Sequence, residues 1–279
     1  MLGFLSSQKA RASTLRKYDF AKVVSQGIAP EAEMGGRLPY VSQKEMTEKD
    51  FAERFLIPNR PCMITGCSRS WQAASKWSSS KELCKWYGHV QVRVTEVQQM
   101  SYPNLGGGNN DCQPLRVSLR HYLPYAENTE ADFPWYAFDD DFSDSRAALL
   151  EDFAVPELFN DDCYAVSAQV RNRIFPKPTF FVAGGARSGT VMHTDPHATS
   201  AWNTLLCGKK RWILIPPTHD AAALAAIGIG RSYEAKYAPC GWWADVYPAL
   251  VASGEARRLG AIEFVQVMRA GRLYFLSVF

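Results

Sequence analysis

The segment "ARSGTVMHTDPHATSAWNTLLCGKKRWILIPP", residues 186–217, decides the fold of this 279-residue chain. It lies in a C-terminal half where short apolar runs alternate with Gly, Pro and polar turns. These runs are "TFFVAGG", "SGTVMHTD", "SAWNTLLC", "KRWILIPP", "IEFVQVM" and "RLYFLSVF". Short strands at this spacing predict a β-sandwich or a β-barrel. The "CGKK" run between two strong strands predicts a tight hairpin connection.

The N-terminal half mixes helices with strands. Thr47 and Asp50 form a capping-box pattern ahead of a short helix, and Ser79 and Glu82 form a second one ahead of a helix that stops at Gly88. We predict a further helix for "SLRHYLPYAEN" and strands for "CMITG", "VQVRVTEV" and "FPWYAF". The chain is therefore expected to be mainly β with helices (α+β), with a helix and strand cap at its N-terminal side.

Residues 1–35 are predicted to form a basic, flexible N-terminal arm, and residues 36–279 a single domain. The first 18 residues contain four basic residues, several Ser and no acidic residue. A mitochondrial transit peptide has the same composition, so targeting is the alternative to a disordered arm. The apolar run at the N-terminus is too short for a secretory signal.

The composition excludes some classes of protein. Hydrophobic residues make up 47% of the chain and charged residues 21%, as in ordinary globular proteins. A net charge of +3 is too small to indicate nucleic-acid binding by itself. No apolar run approaches the 18 residues of a membrane span. The seven cysteines are scattered and odd in number, which favours free thiols in a reducing compartment.

The acidic segment "DDDFSDS", which runs from Asp139 to Asp144, has two interpretations. The first is a solvated loop. The second is a negative rim that attracts a peptide rich in Lys or Arg.

A candidate metal pair lies within the opening segment. On a strand, residues i and i+2 point to the same face, so His193 and Asp195 can reach one ion. Two histidines and one carboxylate are the ligand set of non-haem Fe(II) oxygenases, which leaves a second histidine to be found. The His-x-Asp spacing alone is a weak signal, since such a pair is more often structural than metal-binding.

Polar groups around the pair point to a carboxylate ligand. Lys210 shares a strand face with Trp212, so it is either an edge residue with a snorkelling stem or a buried cation that needs a carboxylate. Thr190 adds a hydroxyl, on the other face from His193 unless the chain bulges there. Asn203 adds an amide at the start of the next strand.

Four motifs in the opening segment resemble the Jumonji-C (JmjC) oxygenases, and most closely the branch of the so-called phosphatidylserine receptor. They are "RSGT" (187–190), "HTDP" (193–196), "TSAWN" (199–203) and "GKKRW" (208–212). The resemblance covers most of residues 40–275. It implies a cupin-type double-stranded β-helix that uses Fe(II) and 2-oxoglutarate. It also implies a hydroxylase or demethylase that acts on Lys or Arg side chains of nuclear proteins.

The resemblance also assigns roles to single residues. It makes His193 and Asp195 two of the iron ligands. The side chains that it assigns to 2-oxoglutarate are Thr190, Lys210, Tyr136 and Asn203. Two further residues, His197 and Trp202, are predicted to line the pocket. The implied partners are a protein substrate with a Lys- or Arg-rich segment and RNA-associated or chromatin proteins. The implied location is nuclear, with mitochondrial and cytoplasmic locations as alternatives.

The sequence departs from the family pattern at the second metal histidine. "FVQVMRAGRLYFLSVF" resembles the strand that leads to it, but Ser277 stands where Pro is expected and no His follows His219. His197 lies about 13 Å from His193 along an extended strand, at roughly 3.3 Å per residue, which is too far for one ion.

Two explanations remain for the missing histidine. Either a longer parent protein carries it, or this is a non-catalytic member that serves as a binding scaffold. A cupin with another small-molecule reaction is a third interpretation, which the Lys210–Thr190 pair disfavours. In each case the last strands of the barrel are expected to be missing, so that "RLYFLSVF" forms an apolar, unpaired edge.

Overall fold

Ten strands in the described part of the chain form three sheets. The computed structural model describes residues 23, 27–96, 115–132, 134–159, 179–190, 192, 193, 195, 199–216, 218, 219, 224, 239–267 and 272–276. The strands are β1 (Tyr40–Ser42), β2 (Cys62–Thr65), β3 (Gln91–Glu96), β4 (Leu115–Ser118), β5 (Trp135–Asp139), β6 (Phe181–Ala183), β7 (Ala201–Asn203), β8 (Lys209–Leu214), β9 (Ile262–Val267) and β10 (Arg272–Leu276). The first sheet has the order β1-β2-β10-β7, the second β4-β3-β5-β6, and the third pairs β8 with β9.

Short helices cover the sheets. They are Glu48–Phe51, Ala73–Lys76, Ser80–Tyr87, Leu119–Asn128, Ala147–Leu150, Pro239–Gly241, Tyr247–Ala252 and Glu255–Arg258, with π-helical turns at Ala52–Leu56 and Trp242–Val246. Single 3₁₀ turns lie at Glu31–Glu33, Gln43–Glu45, Asp144–Arg146 and Glu157–Phe159. The mixture of helices and sheets, in which every described strand pair but β1–β2 is antiparallel, confirms the predicted α+β class. No helix among the described residues is long and apolar enough to cross a membrane.

Local signals placed the N-terminal helices correctly. The Thr47 hydroxyl accepts the backbone N–H of Asp50 at 3.1 Å, and the Asp50 carboxylate accepts the backbone N–H of Thr47 at 3.3 Å. Ser79 caps the helix Ser80–Tyr87 by accepting the N–H of Glu82 at 3.1 Å. These contacts satisfy backbone donors that the first turn of a helix leaves without partners.

The β8–β9 pair separates two apolar clusters. Trp212 and Phe264 face a cluster that contains Met63 of β2, so this face of the pair is turned towards the first sheet. Ile213 faces the opposite cluster, which contains Trp242 and the helices around it. Since side chains alternate along a strand, Lys210 shares the face of Trp212 and is directed into the space between the two sheets.

The same register argument orients β7. Asn203 and Met63 are both paired with residue 274 of β10, so these two side chains lie on one face of the first sheet. Because Met63 packs against Phe264, this face is turned towards β8–β9. Asn203 and Lys210 therefore belong to facing inner surfaces. Asn203 ends β7, whereas the sequence predicted that it begins a strand.

Three expectations about the strands are wrong. The "CGKK" segment does not join a hairpin, because β7 pairs with β10 and β8 pairs with β9; Gly208 makes its turn with a φ of 83°. The residues described within "SGTVMHTD" are not in a strand. Strand β10 is not an unpaired edge, since β2 and β7 flank it on its two sides.

The predicted N-terminal arm lies mostly outside the described residues, but its last part is docked. The guanidinium of Arg211 donates to the backbone carbonyls of Val23 and Gly27. The backbone N–H of Ala29 donates to the Glu263 carboxylate at 3.1 Å. Met34 is buried against the helices near Trp242. The segment around residues 27–35 is therefore part of the domain surface.

Candidate functional site

Lys210 is a cation inside the space between the first sheet and the β8–β9 pair. Its ammonium lies 4.1 Å from the centroid of the Trp212 ring. None of the described residues supplies a carboxylate to pair with it, and burial lowers the pKa of Lys210 to about 8. An unpaired buried charge is costly, which favours the interpretation that this site awaits a carboxylate. Lys210 as a whole residue is half-buried. Its ammonium faces the Trp212 ring, which favours the buried-cation interpretation over an edge residue that snorkels to solvent.

Tyr136 is a neutral donor on the second sheet. It is 4% exposed, and burial raises the pKa of its hydroxyl, so it stays protonated. The neighbouring Gly184 is required for close packing, because a Cβ there would lie 2.6 Å from Cδ2 of Tyr136. This contact brings the start of the loop at residues 184–190 onto the tyrosine. Thr190, in the same loop, is half-buried.

A buried ion pair fixes the middle of this loop. The Arg187 guanidinium lies 3.6 Å from the Asp132 carboxylate, and both side chains are buried. The thiol of Cys240 lies 3.9 Å from the same carboxylate. Arg187 has a left-handed φ of 69°, which a non-glycine residue adopts only when its surroundings hold it there. Sequence reasoning missed this ion pair, because Asp132 lies 55 positions before Arg187 and no local pattern connects them.

His193 and Asp195 lie side by side at an accessible position. The distance from His193 Nε2 to Asp195 Oδ1 is 3.2 Å, and the two side chains are 37% and 27% exposed. Two ligands at about 2.1 Å from one octahedral ion, at right angles, are separated by roughly 3 Å. The spacing of the donor atoms therefore fits a shared metal ion, although the backbone here is not the strand that the sequence predicted.

The structure leaves the third ligand open. Within the described residues, no three His, Cys, Asp or Glu side chains cluster closely enough to hold a metal ion. His197 lies outside the described residues. His219 is a half-buried turn residue whose Nε2 lies 2.8 Å from the carbonyl oxygen of Leu259.

Trp202 does not line this space, in contrast to the prediction. It belongs to the cluster on the helix-covered face of the first sheet, which is opposite to the face of Asn203. There it stacks on Phe159, with ring centroids 6.0 Å apart, and approaches Trp71 at 6.2 Å. The sequence could not distinguish the two faces of β7, because the strand has only three residues.

The first three aspartates of the acidic segment are engaged in ion pairs, while Ser143 and Asp144 are exposed. Asp139 is 1% exposed and accepts the backbone N–H of Arg93 at 2.8 Å. Its carboxylate and those of the next two residues are paired with three arginines in a network formed by Asp139, Asp140, Asp141, Arg93, Arg116 and Arg146. The charges are matched within the network, so residues 139–141 support the end of β5 instead of forming a free negative rim. The solvated-loop interpretation holds for the exposed residues 143 and 144.

These residues fit the group that the resemblance implies. His193 and Asp195 place a nitrogen and an oxygen at a separation that one ion can bridge. The ammonium of Lys210 has no carboxylate partner among the described residues. Asn203 lies on the face of the first sheet that is turned towards Lys210. A metal ion with a dicarboxylate beside it matches both features.

Comparison with known proteins defines the class. The profile of the cupin-like domain family matches residues 48–248, which is more than half of the chain. The chain therefore belongs to the cupin-like domain family. Over 182 residues it is 36% identical to a bifunctional arginine demethylase and lysyl-hydroxylase, psr-1, of Caenorhabditis briggsae, covering 64% of this chain and 42% of that protein.

Two further relatives extend the comparison. The chain is 31% identical over 169 residues to the arginine-specific demethylase JMJ22 of Arabidopsis thaliana, covering 61% of this chain and 29% of that protein. It is 26% identical over 208 residues to the human 2-oxoglutarate and iron-dependent oxygenase JMJD4, covering 67% of this chain and 46% of that protein. The chain thus spans less than half the length of these relatives, which confirm its resemblance to the JmjC oxygenases.

Proposed function

We propose that this chain carries the core of an Fe(II)- and 2-oxoglutarate-dependent protein hydroxylase that acts on Lys or Arg side chains. The observation that carries the proposal is the ammonium of Lys210, which is directed between two sheets and has no carboxylate partner among the described residues. A dicarboxylate cosubstrate supplies that partner. Relatives named as lysyl-hydroxylases, arginine demethylases and 2-oxoglutarate-dependent oxygenases support the same reaction class.

Each residue of the site has a separate task in this proposal. His193 and Asp195 hold the metal, and Lys210 pairs with the distal carboxylate of 2-oxoglutarate. Tyr136, whose hydroxyl stays protonated because burial raises its pKa, and Thr190 donate hydrogen bonds to the same cosubstrate. When bound, iron and 2-oxoglutarate supply the oxidative chemistry that converts C–H to C–OH. The protein orients the reactants and excludes water from the space between the sheets.

The test is turnover with a peptide rich in Lys and Arg. With Fe(II), 2-oxoglutarate and oxygen, the chain should release succinate, and mass spectrometry should find a product that gains an oxygen atom or loses a methyl group. Lys210→Met should abolish both signals. Lys209→Met is the matched control, because Lys209 is the exposed neighbour, and it should keep them. Binding of 2-oxoglutarate without succinate release would instead favour the second candidate, a non-catalytic scaffold.

The substrate and the location belong to the same proposal. A protein partner with a Lys- or Arg-rich segment, such as an RNA-associated or chromatin protein, follows from the relatives that are named as arginine demethylases and lysyl-hydroxylases. A nuclear location follows from the resemblance to the phosphatidylserine-receptor branch. A fluorescently tagged chain that stays outside the nucleus would contradict the location without affecting the chemistry.

A further inference from the structure

Gln266 is a buried polar residue directly opposite Lys210. The two residues are register partners in the antiparallel β8–β9 pair, so their side chains lie on the same face. Gln266 is only 2% exposed. A buried amide is expected to have hydrogen-bond partners at both its oxygen and its nitrogen, because each one left unpaired costs free energy.

Within the described part of the chain, the oxygen of this amide has a partner and the nitrogen has none. The indole N–H of Trp212 donates to Gln266 Oε1 at 3.2 Å. Because an indole nitrogen only donates, the amide must turn its oxygen to Trp212. This fixes the orientation of the amide and leaves Nε2 to another acceptor. Nε2 is buried, and the described residues supply no acceptor for it.

Two donors therefore lie on one face of the strand pair, the Lys210 ammonium and the Gln266 amide nitrogen, and the residues that the structure describes supply an acceptor to neither. One lone donor can be a local defect, but two neighbouring donors on one face are matched by a single ligand that carries two acceptor oxygen atoms. A carboxylate has that shape and the charge to match Lys210. Trp212 contacts both residues and holds them in place, since its ring lies under the ammonium and its N–H binds the amide.

We infer that Gln266 is a further binding residue for 2-oxoglutarate, whose Nε2 donates to one oxygen of the distal carboxylate while Lys210 pairs with the other. The inference rests on the proposed function, because it takes 2-oxoglutarate as the ligand. Lys210 supplies the positive charge, and the hydrogen bond from Gln266 fixes the orientation of the carboxylate. Sequence reasoning missed this residue, since only the pairing of β8 with β9 shows that the Gln of "IEFVQVM" lies opposite the Lys of "GKKRW".

Calorimetry on the full chain with Mn(II) tests the inference, using 2-oxoglutarate and 2-oxobutyrate, which lacks the distal carboxylate. Gln266→Met should weaken 2-oxoglutarate binding about 10- to 100-fold, the loss expected for one hydrogen bond to a charged group. Its affinity for 2-oxobutyrate should stay the same. Gln266→Glu keeps the oxygen that faces Trp212 but replaces the donor with a second carboxylate, so it should weaken 2-oxoglutarate binding further.

The possible outcomes separate the two proposals. If the wild-type chain does not bind 2-oxoglutarate, the proposed function itself fails. If the wild-type chain binds it and Gln266→Met binds equally well, only the role of Gln266 is overturned. Equal losses for both ligands would mark a structural residue and would also overturn the role. Circular dichroism and thermal melting of each variant without ligand show whether the fold is kept.

Discussion

Replacing Lys210 with methionine should make the ligand-free protein more stable at neutral pH. Burial lowers the pKa of Lys210 from the ordinary 10.5 to about 8. At 1.36 kcal/mol per pH unit, this difference corresponds to a cost of roughly 3 kcal/mol for keeping the charged side chain in the folded state. Methionine fills a similar volume without a charge. The expected gain in the free energy of unfolding at pH 7 is therefore up to about 3 kcal/mol.

The pH dependence of this effect follows from the direction of the pKa change. Between about pH 8 and 10.5 the unfolded chain binds the lysine proton and the folded protein releases it, so the stability of the wild type rises with pH. Below pH 8 the full cost is present. The stability difference between Lys210→Met and the wild type should therefore be largest near pH 7 and disappear towards pH 10.5.

Urea unfolding between pH 6.5 and 10.5 measures this difference, with Lys209→Met as the control for a lysine at the exposed start of the same strand. A saturating concentration of 2-oxoglutarate should stabilise the wild type and not Lys210→Met, because only the wild type binds it. The reasoning is refuted if Lys210→Met is less stable than the wild type at pH 7. A stability difference that does not change with pH would also refute it.

Three further predictions address the metal pair, the acidic network and a helix cap. His193→Ala and Asp195→Ala should each remove Mn(II) that survives dialysis of the wild type, and retention of the metal by either variant would contradict the assignment. Asp139→Ala should lower the free energy of unfolding by about 3–5 kcal/mol, since it removes a buried carboxylate that pairs with Arg146 and accepts the backbone N–H of Arg93. A change within about 0.5 kcal/mol, as at an ordinary surface site, would show that the network is not structural. Ser79→Ala should lower the free energy of unfolding, measured with urea, by about 1 kcal/mol, because the helix Ser80–Tyr87 loses its cap. Ser78→Ala is the control, since the Ser78 hydroxyl does not cap that helix.

Local sequence patterns were enough to predict the elements that surround the site. The capped helices after Thr47 and Ser79 were correct because a cap involves residues three positions apart. The alternation of Val92 and Val94 gave β3 for the same reason. The motif resemblance identified the family and the positions of His193, Asp195 and Lys210, since these lie within 18 positions of one another. Their roles as ligands remain predictions.

Only the tertiary structure decided which groups lie together. It paired β10 with β2 and β7, and it turned Asn203 towards the β8–β9 pair and Trp202 towards the helix-covered face of the first sheet. The tertiary structure paired the carboxylate of Asp139 with arginines from other elements. It also placed Gln266 opposite Lys210, across 56 positions of sequence. The physical reason is that helix caps and strand alternation depend on neighbouring residues. The choice of strand partner, and the burial of a charge, depend instead on competition among distant segments for the same hydrogen bonds and the same core.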